Sequence, residues 1–293
     1  MNDHRPSTHS RRRLLTTGLA AAGAATLPQL FAAPASAQSP VDMELALVAA
    51  MVDPPKAGQG TTLNAGPHVE VAETALNAKG HLSSAYVDGH YGTATVAAYA
   101  AWQRALGYSG IDANGVPGPT SLTTLGQEEG FTVDRVVYIG SRNDSYGGER
   151  VNTRTGNMLA AADAEVPWNL TLSQGSYNPG GDPTSAGTHD GGGVVDISVS
   201  GLNTTQRWRT VQALREVGFA AWLRTPSQGN WPYHIHAVAV ADTDMSGPAQ
   251  PQVHDYFFGR NGLANHAPDN TPPEYRVGFT WWERHDRMRP GTR

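Results

Sequence analysis

The sequence predicts an α+β fold in two parts: a small unit of three helices, then a unit in which helices mix with antiparallel strands. Three observations predict it. Apolar residues recur at helical spacing through the first part, as in Val69, Ala72 and Leu76, then Val96, Tyr99 and Ala100, then Leu122 and Leu125. From Phe131 onward, short runs rich in β-branched residues alternate with helical stretches, as expected where helices pack on a sheet. Among 293 residues, 33 glycines and 20 prolines call for many turns between short elements.

The elements follow in chain order. Ser10-Arg11-Arg12-Arg13-Leu14-Leu15 resembles the twin-arginine export consensus, and the weakly apolar stretch after it ends in Ala35-Ser36-Ala37, a small-x-small cleavage pattern. Residues 1–37 thus read as a signal peptide, with a mature start at Gln38 and an exported, extracellular or wall-associated destination. Residues 38–65 read as a linker that carries a short helix over 43–51 and a Pro/Gly-rich stretch, Asp53-Pro54-Pro55-Lys56-Ala57-Gly58-Gln59-Gly60. In the three-helix unit, two related turns of Asp, Asn and Gly, at 88–95 and 112–120, each deliver a Thr to a helix start, where its hydroxyl can cap the first amides. Beyond 130 the pattern predicts a strand over 133–139, a helix over 157–164, a strand over 170–172, a helix over 205–217 ending at Gly218, and strands over 219–223 and 235–240. Residues 261–293, with four prolines and Trp281-Trp282, read as a partly ordered tail, and His254 as a surface residue.

The residues richest in chemistry are Gly187-Thr188-His189-Asp190-Gly191-Gly192-Gly193-Val194-Val195-Asp196 and, forty positions later, Trp231-Pro232-Tyr233-His234-Ile235-His236. Strand alternation puts Val195, Ile197 and Val199 on an apolar face and turns Asp196 and Ser198 the other way; it likewise sets His234 and His236 opposite Ile235 and Ala237. Two strands of one sheet then present a carboxylate and imidazoles together, with His189 brought in by the glycine turn. A catalytic zinc takes three N or O ligands and keeps a fourth position open, so His189, Asp196 and one later histidine meet the count and one histidine is left as a base. Ser185 and Thr188 lie near the motif, but no G-x-S-x-G elbow accompanies them.

This segment resembles the S-x-H-x-x-G-x-A-x-D pattern of the zinc D-alanyl-D-alanine carboxypeptidases, with His189, Gly192 and Asp196 in register and Gly187 and Val194 in place of the serine and alanine. The wider group includes lysostaphin-type endopeptidases, whose H-x-H motif it also shares. The resemblance implies a zinc peptidase domain over 131–260 with an antiparallel sheet, metal ligands His189, Asp196 and His236, and His234 as the catalytic base. Two departures stand out. Tyr233 occupies the place where many members carry a glutamate, and the segment 173–178 lacks the family's upstream arginine. Gln174 and Tyr177 in that segment, or Arg154 from the preceding helix, are the candidate substrate-binding residues in its stead. Without a charged fork for a terminal carboxylate, the expectation leans towards cleavage within wall peptides.

The helical unit over 66–130 resembles the three-helix peptidoglycan-binding domain, whose signature D-G-x-[FY]-G-x-x-T reads here as Asp88-Gly89-His90-Tyr91-Gly92-Thr93-Ala94-Thr95, followed by Trp102-Gln103. The resemblance implies peptidoglycan as the partner, with Tyr91 and Trp102 half in the core and half in a groove. Together the two resemblances imply a secreted zinc peptidase of the cell wall; the alternative is a wall-binding protein whose peptidase-like domain has lost turnover. With no cysteine, thiol chemistry and disulfides are excluded, and a net charge of −5 argues against nucleic acid, which needs a basic footprint. No run in the mature chain is apolar enough to span a bilayer, and a monomer is expected.

Overall fold

Each half of the chain is organised around one element that water does not reach. In the computed structural model, which describes residues 40–55 and 62–289, the first of these is helix α1 (Met43–Val52), with nine of its ten residues buried. A helix apolar all round but for one residue, here Glu44, belongs inside. Asp42 caps it by accepting from the Leu45 amide at 3.1 Å, and it ends at Asp53, whose amide still bonds to the Ala49 carbonyl, because Pro54 has no N–H with which to continue the ladder. The expected linker over 38–65 is therefore corrected: its helical part is the centre of a core. The export segment, the cleavage pattern and residues 56–61 lie outside the described residues.

α1 packs on α2 (Gly66–Ala78), and α2 packs in turn on α3 (Thr93–Ala105) and α4 (Pro119–Glu129), the last closed by Gly130 at φ 85, the left-handed conformation a helix end favours. The turn between α2 and α3 is organised by Glu73, fully buried, which accepts from the amides of Asp88 (3.0 Å) and Gly89 (2.8 Å) and from Thr95 Oγ1 (2.7 Å). Tyr91 and Trp102, expected half in a groove, are core residues instead. They are 0% and 4% exposed, and their polar ends donate to the carbonyls of Gly115 and Ser121. A short parallel pair, β1 (Val41–Asp42) with β2 (Val133–Asp134), closes this half. The strand expected over 133–139 stops there because Arg135 takes φ 47, which breaks the extended run, while Val137 goes on into the core.

The second half carries a hairpin, β3 (Asp144–Tyr146) with β4 (Glu149–Val151), then α5 (Thr153–Ala164), β5 (Leu172–Gln174), β6 (Val194–Ser198), α6 (Thr204–Glu216), β7 (Phe219–Arg224), β8 (His234–Ala239), α7 (Gln250–Phe257) and α8 (Trp282–Met288). The fold is α+β. Its principal sheet runs β5-β6-β8-β7, every neighbour antiparallel. Alternation gives the sheet two faces. Val195, Ile197, Ala221, Leu223, Ile235 and Ala237 pack with Met158 and Leu159 of α5 and Val211 and Leu214 of α6. The opposite face is divided along the strands: Val194, Ala220 and Val238 join the core of α1 to α4, while the next rows turn polar.

Because that core runs without a break from Leu47 and Leu122 to Val238, no core boundary falls at residue 130. Two further expectations change. His254 is 3% exposed, on α7 against α1, with Nδ1 donating to the Val52 carbonyl at 2.6 Å. The expected loose tail is packed: Trp281 is 4% exposed, its Nε1 donates to buried Glu44 at 2.6 Å, and Asp269 pairs with Arg215 at 2.9 Å.

Candidate metal centre

The polar rows of the sheet are set by register. Asp196 on β6 lies opposite His236 on β8, which lies opposite Trp222 on β7, and Gln174 on β5 lies opposite Asp196. The next row holds Ser198, His234 and Arg224. His189 reaches the first row from the loop before β6. There Gly193, at φ 79, would drive a Cβ within 2.7 Å of Asp242, and Gly191 would meet the Asp244 carbonyl at 2.3 Å, so side chains cannot replace the glycines without moving the loop. The same approach explains Tyr177. Its hydroxyl donates to Asp244 at 2.9 Å, and Asn152 donates to Asp242 at 2.7 Å, bracing the loop that carries His189.

His189, Asp196 and His236 bring one ligand atom each to within 4.8 Å of one another, a group able to hold a metal ion. The tautomers suit it. His189 Nδ1 meets the Gly175 carbonyl at 2.8 Å and must donate there, so Nε2 presents a lone pair. That nitrogen is buried, without a hydrogen-bond partner, 3.5 Å from Asp196 Oδ1. His236 Nε2 lies 3.0 Å from Gln252 Oε1, and the amide is oriented by its own Nε2 donating to the Gly262 carbonyl at 3.1 Å. His236 therefore donates through Nε2, and the lone pair on Nδ1 faces Asp196 Oδ1 at 2.8 Å. Two acceptors at that distance call for a positive charge between them, a proton on the ring or a metal ion. Burial opposes the charge on Asp196, but wherever the two rings carry a proton towards it the hydrogen bonds and charges of His189 and His236 outweigh burial and hold the carboxyl well below the usual range; for His236 burial wins and favours the neutral ring, whose lone pair a metal requires.

His234 sits beside the group. Its Nδ1 donates to the Pro232 carbonyl at 2.9 Å, which leaves Nε2 unprotonated in the neutral ring and 3.8 Å from Asp196 Oδ2. The cleft above has a volume of about 850 Å³, and Gln174, Arg224, Trp231 and His234 line it.

The structure places the other expected site residues differently. Gln174 lines the cleft, its Oε1 held by Ser185 and its Nε2 buried without a partner. Arg154 does not reach it. The side chain is buried, its guanidinium pairs with Glu283 at 2.7 Å and donates to the Val240 carbonyl at 2.9 Å, so no fork is left for a substrate. Tyr177 likewise braces a loop and does not line the cleft. Thr188 donates to the Ser185 carbonyl at 2.7 Å, a loop-orienting bond.

Two residues that sequence reasoning missed belong here. Gln252 orients His236, but glutamine on a helix carries no signal for such a role. Arg224 ends an apolar strand on the same face as the metal ligands, a signal that was legible. It is 3% exposed, stacks 5.0 Å from the Trp222 ring, and donates through Nη1 to the Asn261 carbonyl at 2.5 Å. Burial pulls its guanidinium down to about 10, against the attraction of Asp196 and Asp269. The chain matches no protein-family model, no curated protein and no solved structure.

Proposed function

We propose that this chain is an exported zinc-dependent peptidase acting on the peptides of peptidoglycan. The observation that carries the reading is the three-ligand group with His234 beside it, its free Nε2 turned to the same carboxylate. Two imidazoles and one carboxylate of fixed tautomer are a donor set that zinc takes in hydrolytic sites. When bound, zinc supplies Lewis acidity, polarising a carbonyl and making a water molecule acidic near neutral pH.

The chain's own residues do the rest. His234 Nε2 takes a proton from the attacking water as its oxygen adds to the scissile carbonyl carbon, then returns that proton to the amine as the carbon–nitrogen bond breaks. Pro232 keeps the imidazole in the tautomer this needs, because its carbonyl fixes the Nδ1 proton. Gln174, one strand from Asp196, offers an amide N–H to a substrate carbonyl. Export and wall location rest on the twin-arginine and cleavage patterns; retention at the wall rests on the resemblance of residues 66–130 to peptidoglycan-binding domains.

A second reading, a wall-binding protein without turnover, is favoured by Tyr233. Where many of the resembled peptidases carry an acid, this side chain is 47% exposed and lies under Arg207. The deciding experiment measures the zinc content of the mature chain and its release of amines from purified peptidoglycan, with and without a chelator. One bound zinc and chelator-sensitive release are expected; bound zinc with wall sedimentation but no release would establish the second reading.

A further inference from the structure

Four buried side-chain nitrogen atoms that make no hydrogen bond, on Gln174, His189, Arg224 and Trp231, belong to residues that line the cleft. His189 offers an acceptor to a metal. The other three, Gln174 Nε2, Arg224 Nη2 and Trp231 Nε1, are donors, so the cleft is built for a ligand rich in acceptors.

Arg224 is the decisive one. A guanidinium keeps its proton under all ordinary conditions, and burying it without a counter-ion is costly, so a buried arginine normally has a carboxylate partner. Arg224 has none in contact. Asp269 is held by Arg215, and Asp196 faces the two imidazoles of the metal group. A divalent cation at the metal group would cancel the charge of Asp196 and leave Arg224 still less balanced. Only Nη1 has a partner, the Asn261 carbonyl, while Nη2 is free.

The position suits a substrate. Arg224 is cross-strand from His234 and one row, two residues, from Trp222, itself cross-strand from His236. Two residues of strand span roughly 7 Å, and the guanidinium folds back over the Trp222 ring towards the metal row. An anion on Nη2 thus lies about one peptide residue from a carbonyl at the metal group.

We propose that Arg224 holds the terminal carboxylate of the substrate, so that the cleft takes peptides ending in a free carboxylate one residue beyond the scissile bond. This rests on the peptidase reading above and reverses the expectation, drawn from the missing upstream arginine, of cleavage within chains.

The test uses the zinc-loaded mature chain and two probes, a stem pentapeptide ending in D-alanyl-D-alanine and the same peptide as its C-terminal amide. Hydrolysis is followed by mass spectrometry and binding by calorimetry. The acid form should be preferred by about 10- to 100-fold in kcat/KM and in Kd, the range of a charged hydrogen bond. Arg224→Gln, with its zinc content at the wild-type level, should erase the preference, and Arg224→Lys should keep part of it. Equal handling of acid and amide by the wild-type chain overturns the assignment and needs no variant. So does a preference that survives Arg224→Gln, or one that falls instead with Arg207→Gln, the other arginine of the cleft. If neither probe is hydrolysed, the peptidase reading fails and calorimetry still decides: tighter binding of the acid that is lost in Arg224→Gln upholds the anchor, and its absence removes it.

Discussion

Glu73 in the helical half and Asp196 on the sheet are both buried carboxylates, and the chain treats them in opposite ways. Glu73 is surrounded by donors that have nowhere else to go, two amides of the Asp88-Gly89 turn and the Thr95 hydroxyl. Asp196 is surrounded by imidazoles whose other ring nitrogens are already spent on a carbonyl and an amide oxygen. In the first case burial dominates and lifts the carboxyl from 4.5 to about 7; in the second the neighbours dominate and hold it ionised. A carboxylate satisfied by main-chain amides shapes a turn. One that faces ring nitrogens able to present lone pairs can hold a cation, and this separates a structural acid from a candidate metal ligand more sharply than burial does.

The largest effect that would break this contrast lies at the ligands. His189→Ala and Asp196→Ala should each abolish stoichiometric zinc in the purified chain, measured by elemental analysis, whereas Glu73→Ala should leave it intact. Zinc retained by both ligand variants would reduce Asp196 to an ordinary salt-bridge acid. Next comes His234→Ala, which should keep zinc yet lose about 10²- to 10⁴-fold in turnover, the usual worth of a positioned base. Loss of metal from that variant, with retention in His236→Ala, would exchange the two histidines' roles.

Glu73 supplies the third test. Its carboxyl takes up protons more readily folded than unfolded, so the folded state binds more protons between pH 4.5 and 7, and stability falls as pH rises through that window. The loss amounts to about 3 kcal/mol, complete above pH 7. Glu73→Gln can keep both amide bonds on its one oxygen, and a third in which its NH2 donates to the Thr95 hydroxyl, without the charge. The difference in urea stability between wild type and this variant should therefore grow in the variant's favour from pH 5 to 7.5, and a difference flat with pH would show that Glu73 is not perturbed. Glu73→Ala strands three donors, so it should cost most near pH 5, and that cost should shrink by about 3 kcal/mol towards pH 7.5 as the wild type alone loses the contribution of its raised carboxyl.

Much of this was legible because strand alternation is strict. The period of two in 194–199 and 234–240 separates the apolar face from Asp196, His234 and His236, and the helices expected over 43–51, 157–164 and 205–217 lie within four residues of the ends of α1, α5 and α6, whereas α7 and α8 had no expected counterpart. What was not legible depended on which surfaces meet. A helix at 43–52 that is apolar but for Glu44 reads the same whether it closes a linker or centres a core, and only its packing against α2 and α7 decides. Arg154 and Arg224 look alike as letters. One finds Glu283, more than a hundred residues away, and the other finds no carboxylate in contact, a difference made wholly by tertiary placement.

The smallest effect tests that dependence on placement most directly. Gln252 touches neither the metal nor a substrate in this reading; it fixes His236 by accepting from Nε2, while the Gly262 carbonyl fixes its own amide. Partners of this kind typically change metal affinity by about 10- to 100-fold, because they hold the ring's tautomer and angle. Gln252→Ala should therefore weaken zinc within that range in a chelator competition, leave the fold unchanged by far-UV circular dichroism, and lower turnover only as far as metal is lost, with activity restored by excess zinc. Gln252→Glu keeps the acceptor and adds charge to the imidazole, so it should bind zinc at least as tightly as the wild type. If Gln252→Ala holds zinc unchanged, His236 is oriented by the strand alone, and the tautomer argument that set its Nδ1 towards Asp196 loses its physical cause.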